Sequence, residues 1–285
     1  SRFDANKHLA LAVVGDAKVS LDELSLALGD WKAGEEWNKK SQVELKSWNE
    51  YVDKESAPSN QEVPSYVQVI GAIYKNSDPS DIAVTAAGGL VGEVIQVWRP
   101  RELNTHETEW GFSCMSYEIS GALGIKMANP DKEVISFVGD GSYLLNNTDI
   151  YSSVITNNKL IIIVCDNGGF AVINRLQLFK GGNEYNNLLK SSNTPGLVDI
   201  DFAKHAESMG AKSEHVSSIS DLEEAFKRAK KSKVTYVISI KTHAYQWLEG
   251  SAFWDSPTLE VPTTKENKEA LRLYKEGKSK QRQGV

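Results

Sequence analysis

The apolar positions of this chain follow two regimes. From about residue 65 onward, helical segments alternate with short continuous apolar runs, which is the signature of a parallel sheet covered by helices. The spacing predicts a helix over 65–75, a strand over 82–86, a helix over 117–128 and a strand over 134–138. A helix over 142–156 follows, then a strand over 160–165, helices over 203–209 and 220–230, and a strand over 234–240. The run Leu160-Ile161-Ile162-Ile163-Val164-Cys165 shows no polar alternation, as expected of a strand buried on both faces. Before residue 65 the order is looser. Residues 9–14 read as one strand, and Ser20 reads as the N-cap of a helix over 21–28. Residues 33–55, with Trp37, Val43, Leu45, Trp48 and Tyr51 at irregular helical spacing, read as a solvent-facing linker helix that prolines 58 and 64 break. After Lys241 the pattern is irregular, with Trp247, Phe253 and Trp254 as expected packing anchors, and ends in a charged helix over 265–278. The expected fold class is therefore α/β: a mostly parallel sheet with helices on both faces, preceded by a strand-helix remnant and a helical linker.

Composition narrows the function classes. With 285 residues, 40% apolar and 25% charged, the chain is long enough for a substantial core. The 32 basic residues against 38 acidic ones form no basic stripe, so a nucleic-acid partner is not expected. No stretch approaches the roughly 18 to 20 apolar residues of a membrane-spanning helix, so no membrane partner is expected either. Two cysteines cannot build a disulfide framework, and Cys165 reads as a small buried thiol. The five histidines, at 8, 106, 205, 215 and 243, show no zinc-ligand spacing, and no Gly-x-Ser-x-Gly elbow is present. Gly277-Lys278-Ser279 echoes a phosphate loop, but Arg272 stands where its first glycine belongs. A cytoplasmic location is expected, and the Ser-Arg-Phe-Asp opening reads as that of a fragment.

The chemistry concentrates in Gly139-Asp140-Gly141-Ser142, between a buried strand and a helix. Glycines there allow a tight turn and close backbone approach to a ligand, and the first amides of the helix favour an anion. A carboxylate beside an anion needs a cation between them, so Asp140 reads as a ligand to a divalent metal that also binds phosphate oxygens. Asp166-Asn167-Gly168-Gly169-Phe170 lies 27 residues later, again at the carboxyl end of an apolar strand, and ligands of parallel sheets collect at such ends. An amide oxygen from Asn167 and a main-chain carbonyl from the glycines, with phosphate oxygens and water, complete the all-oxygen octahedron that Mg2+ demands.

These residues resemble the fingerprint of the thiamine diphosphate (ThDP) enzymes, a Gly-Asp-Gly followed after about 25 to 30 residues by an Asn pair, here Asp166-Asn167. The resemblance places the Asp140 and Asn167 side chains and the Gly169 carbonyl on the metal, with Gly139, Gly141 and Ser142 on the diphosphate. It also puts Gly88 and Gly89, in Ala86-Ala87-Gly88-Gly89-Leu90, against the diphosphate from the opposite side. Within Trp110-Gly111-Phe112-Ser113-Cys114-Met115-Ser116-Tyr117-Glu118, it makes Met115 the wedge between the two cofactor rings, with the main chain of Ser113 and Met115 on the aminopyrimidine.

These segments, with Trp98-Arg99 and residues 167–177, look like the trihydroxycyclohexane-1,2-dione hydrolases of myo-inositol catabolism, over roughly residues 1–260. That resemblance implies a middle-domain remnant over 1–32, a linker over 33–62, the diphosphate-binding domain over 63–260 and a helical tail over 261–285. It implies hydrolysis of a C–C bond in a cyclic 1,2-diketone, the cofactor accepting the electrons released on cleavage. His106, Glu109 and Asn174 are further candidates for substrate contact. The chain departs from the pattern at Gly168, where His is more frequent, and at Ser116, where Gly is usual. The acetolactate synthase group shares the fingerprint, and a non-catalytic ThDP-binding module is the non-enzyme alternative. The Glu that activates the pyrimidine comes, in the family, from an N-terminal domain usually placed across a dimer interface. No catalytic residue is therefore assigned here. The isolated chain is expected to be inactive, to bind Mg2+ and ThDP weakly or not at all, and to depend on a pyrimidine-binding domain of the same or another chain in a homodimer or tetramer.

Overall fold

Strands without polar alternation must be covered on both faces, and the apolar runs of this chain pair side by side into one parallel sheet. In the computed structural model, which describes residues 10–59, 61–196, 198–249 and 258–281, the chain divides into two units, Glu50–Gly250 and the segments on either side of it. The sheet belongs to the first of these. Its strands are β1 (Ile82–Thr85), β2 (His106–Thr108), β3 (Val134–Gly139), β4 (Ile161–Asp166), β5 (Lys212–Val216) and β6 (Tyr236–Lys241). All pair in parallel, in the order β2-β1-β3-β4-β6-β5.

Alternate residues of each strand face opposite layers. On one face Val134, Val138, Ile162, Val164 and Val237 pack with Ile119, Tyr143, Ile150 and Phe202 in one apolar cluster. Those helical residues come from α5 (Tyr117–Ala128), α6 (Asp140–Leu145), α7 (Asp149–Ile155) and α9 (Phe202–Ser208). The intervening Ile135, Phe137, Ile161, Ile163 and Ile238 are equally buried on the other face, which α3 (Tyr66–Asn76), α4 (Gly88–Val97) and α10 (Ile219–Lys231) cover. Burial of each such side chain is worth roughly 1.5 to 3 kcal/mol. A capping box fixes the start of α3. There the Gln68 side chain accepts from the Ser65 amide at 3.0 Å, while the Gln68 amide donates to Ser65 Oγ at 3.3 Å. Lys230, near the end of α10, is clamped between Asp78 at 2.8 Å and the buried Asp81 at 2.6 Å, which ties that helix to the entry of β1.

The register of β3 on β4, Val138 opposite Val164 and Gly139 opposite Cys165, sets the carboxyl ends of the two strands beside each other. A further helix of this unit, α8 (Ala171–Phe179), follows the β4 end. The other unit carries α1 (Ala17–Leu28), the early turns of α2 (Glu35–Glu55) and α11 (Lys265–Ser279). No described helix is long and apolar enough to cross a membrane.

Several boundaries differ from those expected. Residues 10–14 form no strand, and Leu11, Val13 and Val14 are exposed. The helix expected to start after Ser20 starts at Ala17, because the Asp16 carboxylate caps it by accepting from the Val19 amide at 3.0 Å. The single helix expected over 142–156 is two. The first starts at Asp140, and the chain breaks at Asn146 before Asp149 starts the second. Helices α4 and α8 and the strands β2 and β5 add elements that periodicity did not mark. Leu9, Phe253 and Trp254 lie outside the described residues, whereas Trp247 stacks under Arg175 at 4.0 Å.

Candidate functional site

The sheet places its three glycine-bearing segments together. The end of β1 feeds Ala87–Gly89, the end of β3 feeds Gly139–Ser142, and the end of β4 feeds Asn167–Gly169. With the 113–116 loop they enclose a cleft of about 230 Å³. All ten residues singled out from the sequence line it: Gly88, Gly89, Ser113, Met115, Gly139, Asp140, Gly141, Ser142, Asn167 and Gly169. Of the further candidates, His106 stands on edge strand β2 and bonds Thr108 at 3.1 Å, and the buried Asn174 donates to Glu184 at 3.0 Å. Neither lines the cleft. Burial pushes the His106 imidazole below its ordinary pKa.

Two oxygens in the cleft are buried with no hydrogen-bond partner, Oδ1 of Asp140 and Oδ1 of Asn167. An unsatisfied buried oxygen costs on the order of 1 to 3 kcal/mol, more when it is charged. Two of them on adjacent strand ends are therefore explained by something that binds both. The Asp140 carboxylate is pushed up to about 7 by burial and by the neighbouring Asp166 charge, partly offset by the amides of Gly141 and Gly169. Asp166 itself is held by Lys241 at 2.7 Å and accepts from the Gly168 amide at 3.0 Å. Among the described residues no three His, Cys, Asp or Glu side chains gather into a metal cluster. One carboxylate and one amide oxygen suit a hard cation that takes its other ligands from phosphate and water. The residues present thus fit a Mg-diphosphate group.

Tyr66, which the sequence did not reveal, and Glu109, named there only as a possible substrate contact, shape the surroundings of the cleft. The Asn167 amide nitrogen donates to the Tyr66 hydroxyl from the start of α3, a bond that fixes the amide with its free oxygen on the other side. Burial, followed by the nearby Cys165, Asp140, Asp166 and Glu93, raises the Tyr66 phenol well above its ordinary pKa, so the hydroxyl stays neutral. Glu109, half-buried, clamps the loop ahead of Met115, accepting from the amides of Phe112 at 2.9 Å and Cys114 at 2.6 Å. Those amides, Phe112 first, hold its carboxyl below the usual range. The clamped loop places Ser113 and Ser116 in left-handed conformations, at φ of 52° and 77°.

A smaller cavity of about 30 Å³ adjoins the cleft through Tyr66, Gly89 and Asn167, and Glu93, Arg175 and Trp247 close it. Burial raises Glu93 from 4.5 to about 7, although its carboxylate accepts the Leu248 amide. A carboxyl whose folded pKa lies above its unfolded one stabilises the protein fully only below pH 4.5, and that contribution is lost as pH rises through 7. Glu93→Gln is expected to match wild type near pH 4 and to be more stable by up to about 3 kcal/mol at pH 8, read from urea unfolding at both pH values. Equal stability of the two proteins at pH 8 would refute this origin of the shift.

The comparisons with known proteins agree with this geometry. Residues 86–240 match the family described as "Thiamine pyrophosphate enzyme, C-terminal TPP binding domain". The chain belongs to this family. It is 35% identical over 287 residues to a 3D-(3,5/4)-trihydroxycyclohexane-1,2-dione hydrolase of Clostridium tetani, covering 89% of this chain and 44% of that protein. It is 32% identical over 309 residues to the enzyme of the same name from Geobacillus thermodenitrificans, covering 97% of this chain and 48% of that one. The chain thus spans about half the length of the curated relatives it matches. Among solved structures, a thiamine diphosphate-dependent 4-hydroxybenzoylformate decarboxylase from Rhodococcus jostii RHA1 superposes with a TM-score of 0.56 at 22% identity, over 66% of this chain and 34% of that one. A benzoylformate decarboxylase from Polynucleobacter necessarius gives 0.53 at 21%, over 62% of this chain and 32% of that one. At such identities the likeness is one of fold.

Proposed function

We propose that this chain is the cofactor-binding part of a ThDP- and Mg2+-dependent hydrolase that cleaves a C–C bond of a cyclic 1,2-diketone, trihydroxycyclohexane-1,2-dione, to give 5-deoxy-glucuronate in inositol catabolism. The observation that carries the cofactor assignment is the pair of unpartnered buried oxygens on Asp140 and Asn167, set on adjacent strand ends in a cleft lined by glycines. The substrate assignment is supported by the names of relatives at 32 to 35% identity. Asp140, Asn167 and the Gly169 carbonyl would hold Mg2+, and Gly88, Gly89, Gly139, Gly141 and the main chain of Ser142 would flank the diphosphate. Met115, between two left-handed serines, would support the rings, with the main chain of Ser113 beside it. When bound, the cofactor supplies the electron sink for C–C cleavage. The protein's part is to bind, orient and dry the site. Asp140 makes diphosphate binding conditional on a cation, Tyr66 holds the Asn167 amide in its ligating orientation, and Leu90, Phe170, Val172 and Ile173 give the cleft apolar walls.

The same proposal assigns the activating carboxylate to a pyrimidine-binding domain, on the same or another polypeptide, in a cytoplasmic homodimer or tetramer. Trp110 and Phe112 stand exposed in the loop beside the cleft and Phe170 and Ile173 are exposed at its wall, the apolar rim such a domain would cover. The 285-residue chain alone, with saturating Mg2+ and ThDP, is expected to turn over no dione, and addition of a pyrimidine-binding polypeptide is expected to produce turnover. Ring opening by the isolated chain would overturn the division of labour, and no turnover with any such partner would overturn the substrate assignment.

A further inference from the structure

Glu118 is a buried carboxylate, 1% exposed, at the second position of α5, and no Lys, Arg or His among the described residues pairs with it. It lies among three walls of the cleft. Its two oxygens accept the Ser142 hydroxyl at 3.0 and 2.9 Å, and Oε1 also lies 3.4 Å from the Ala87 amide. The Ser142 oxygen in turn accepts the Ser116 amide at 2.6 Å. The Glu118 carbonyl accepts the buried Ser136 hydroxyl of β3 at 2.7 Å, which anchors this turn of the helix to the sheet. A hydroxyl has one proton. That of Ser142 is directed at Glu118, and one of its lone pairs is taken by Ser116.

We propose that Glu118 is a positioning residue for the diphosphate cleft: it joins the 86–89 wall, the 113–116 loop and the Gly139–Ser142 turn, and withdraws the Ser142 hydroxyl from direct ligand binding. Ser116 holds φ of 77°, a conformation disfavoured for a residue with a Cβ. The amide it gives to Ser142 offsets part of that strain, so the loop that carries Ser113 and Met115 is pinned to the cleft floor through Glu118. The placement of the cleft rests on the reading under Proposed function; the coupling of the walls is a property of the free protein.

Hydrogen exchange on the ligand-free chain, read by mass spectrometry, tests the strut. In Glu118→Ala the amides of Ala87 and Ser116 are expected to exchange about tenfold faster, the effect of losing one hydrogen bond of roughly 1.4 kcal/mol, while β4 is unchanged. Glu118→Gln keeps the length and one acceptor, and is expected to stay within about threefold of wild type. Ser142→Ala should free Ser116 and leave Ala87 protected, which separates the strut from general loosening even where the alanine variant at 118 unfolds. Wild-type exchange at Ser116 in Ser142→Ala, or acceleration in Glu118→Gln spread over the whole sheet, would overturn the proposal. Titration with inorganic pyrophosphate plus Mg2+ reads the second half: Ser142→Ala is expected to bind within about threefold of wild type, and a tenfold or greater loss would show that the hydroxyl donates to the ligand. If wild type gives no pyrophosphate binding even with a pyrimidine-binding polypeptide added, the cofactor reading fails while the exchange result still decides the strut.

Discussion

Replacing Asp140 by asparagine or alanine is expected to abolish Mg2+-dependent binding of ThDP without weakening the ligand-free fold. Without a cation, the folded protein holds a carboxylate that is 5% exposed, has one oxygen unpartnered and feels the charge of Asp166. A buried charge in this state works against folding, by several kcal/mol in the unpaired limit. Asparagine keeps the shape and an acceptor for the Gly141 and Gly169 amides while removing the charge, so the melting temperature of Asp140→Asn should equal or exceed that of wild type at neutral pH. Binding should move the other way. Loss of a charged metal ligand costs more than the 10- to 100-fold typical of groups that merely support one, so calorimetry should show a fall of on the order of 100-fold or more. Wild-type binding, for its part, should vanish with a chelator. This pairing of a stability gain with a binding loss marks a functional carboxylate, since a structural one would lose both. Metal-independent binding, or binding that survives Asp140→Ala, would sink the assignment.

The parts of this fold that were legible in the sequence are those in which one residue's neighbours along the chain are also its physical surroundings. The unbroken run 160–165 is buried on both faces of β4, and nothing but a central strand fits it. Gly139 to Ser142 could be placed because a glycine-flanked carboxylate at a strand end is a local pattern. β5, reading Lys-Ser-Glu-His-Val at the sheet edge, was not legible, because a half-exposed edge strand has no apolar run to show. α4 opens on two glycines, the weakest helix formers after proline, so its tertiary packing overrides its propensity. Tyr66 and Glu118 act across 101 and 24 to 31 residues, so only the folded sheet brings them to Asn167, Ser142 and Ala87. The sequence could thus name the groups that line the cleft. It could not name the groups that aim them.

Gly169→Ala is expected to be the costliest single change in the cleft. Gly169 sits at φ of 140°, where L-residues are strained, and a Cβ there would lie 2.5 Å from the Asn187 carbonyl oxygen and 3.0 Å from Leu188 Cα. Both obstacles are backbone, and that backbone is held on either side. The Phe170 amide donates to Asn187 at 2.7 Å and the Leu189 amide to Gly168 at 2.8 Å. Relief therefore means breaking these bonds or moving Gly169 away from Asp140. The strain and the lost hydrogen bond together cost roughly 2 to 4 kcal/mol. Gly168→Ala is the control, because it also has a positive φ, of 78°, yet its Cβ would meet nothing within 4 Å, and it should cost only about 1 to 2 kcal/mol. At Gly141 the obstacle is the ring of the half-exposed Phe170, which can rotate aside. Urea unfolding of the 168 and 169 variants should therefore separate clearly, with metal-dependent binding lost at 169 and retained at 168. Equal stability of the two would mean that the 186–189 segment yields, and the tight approach of backbone to backbone would then not be what holds the Asn167–Gly169 turn in place.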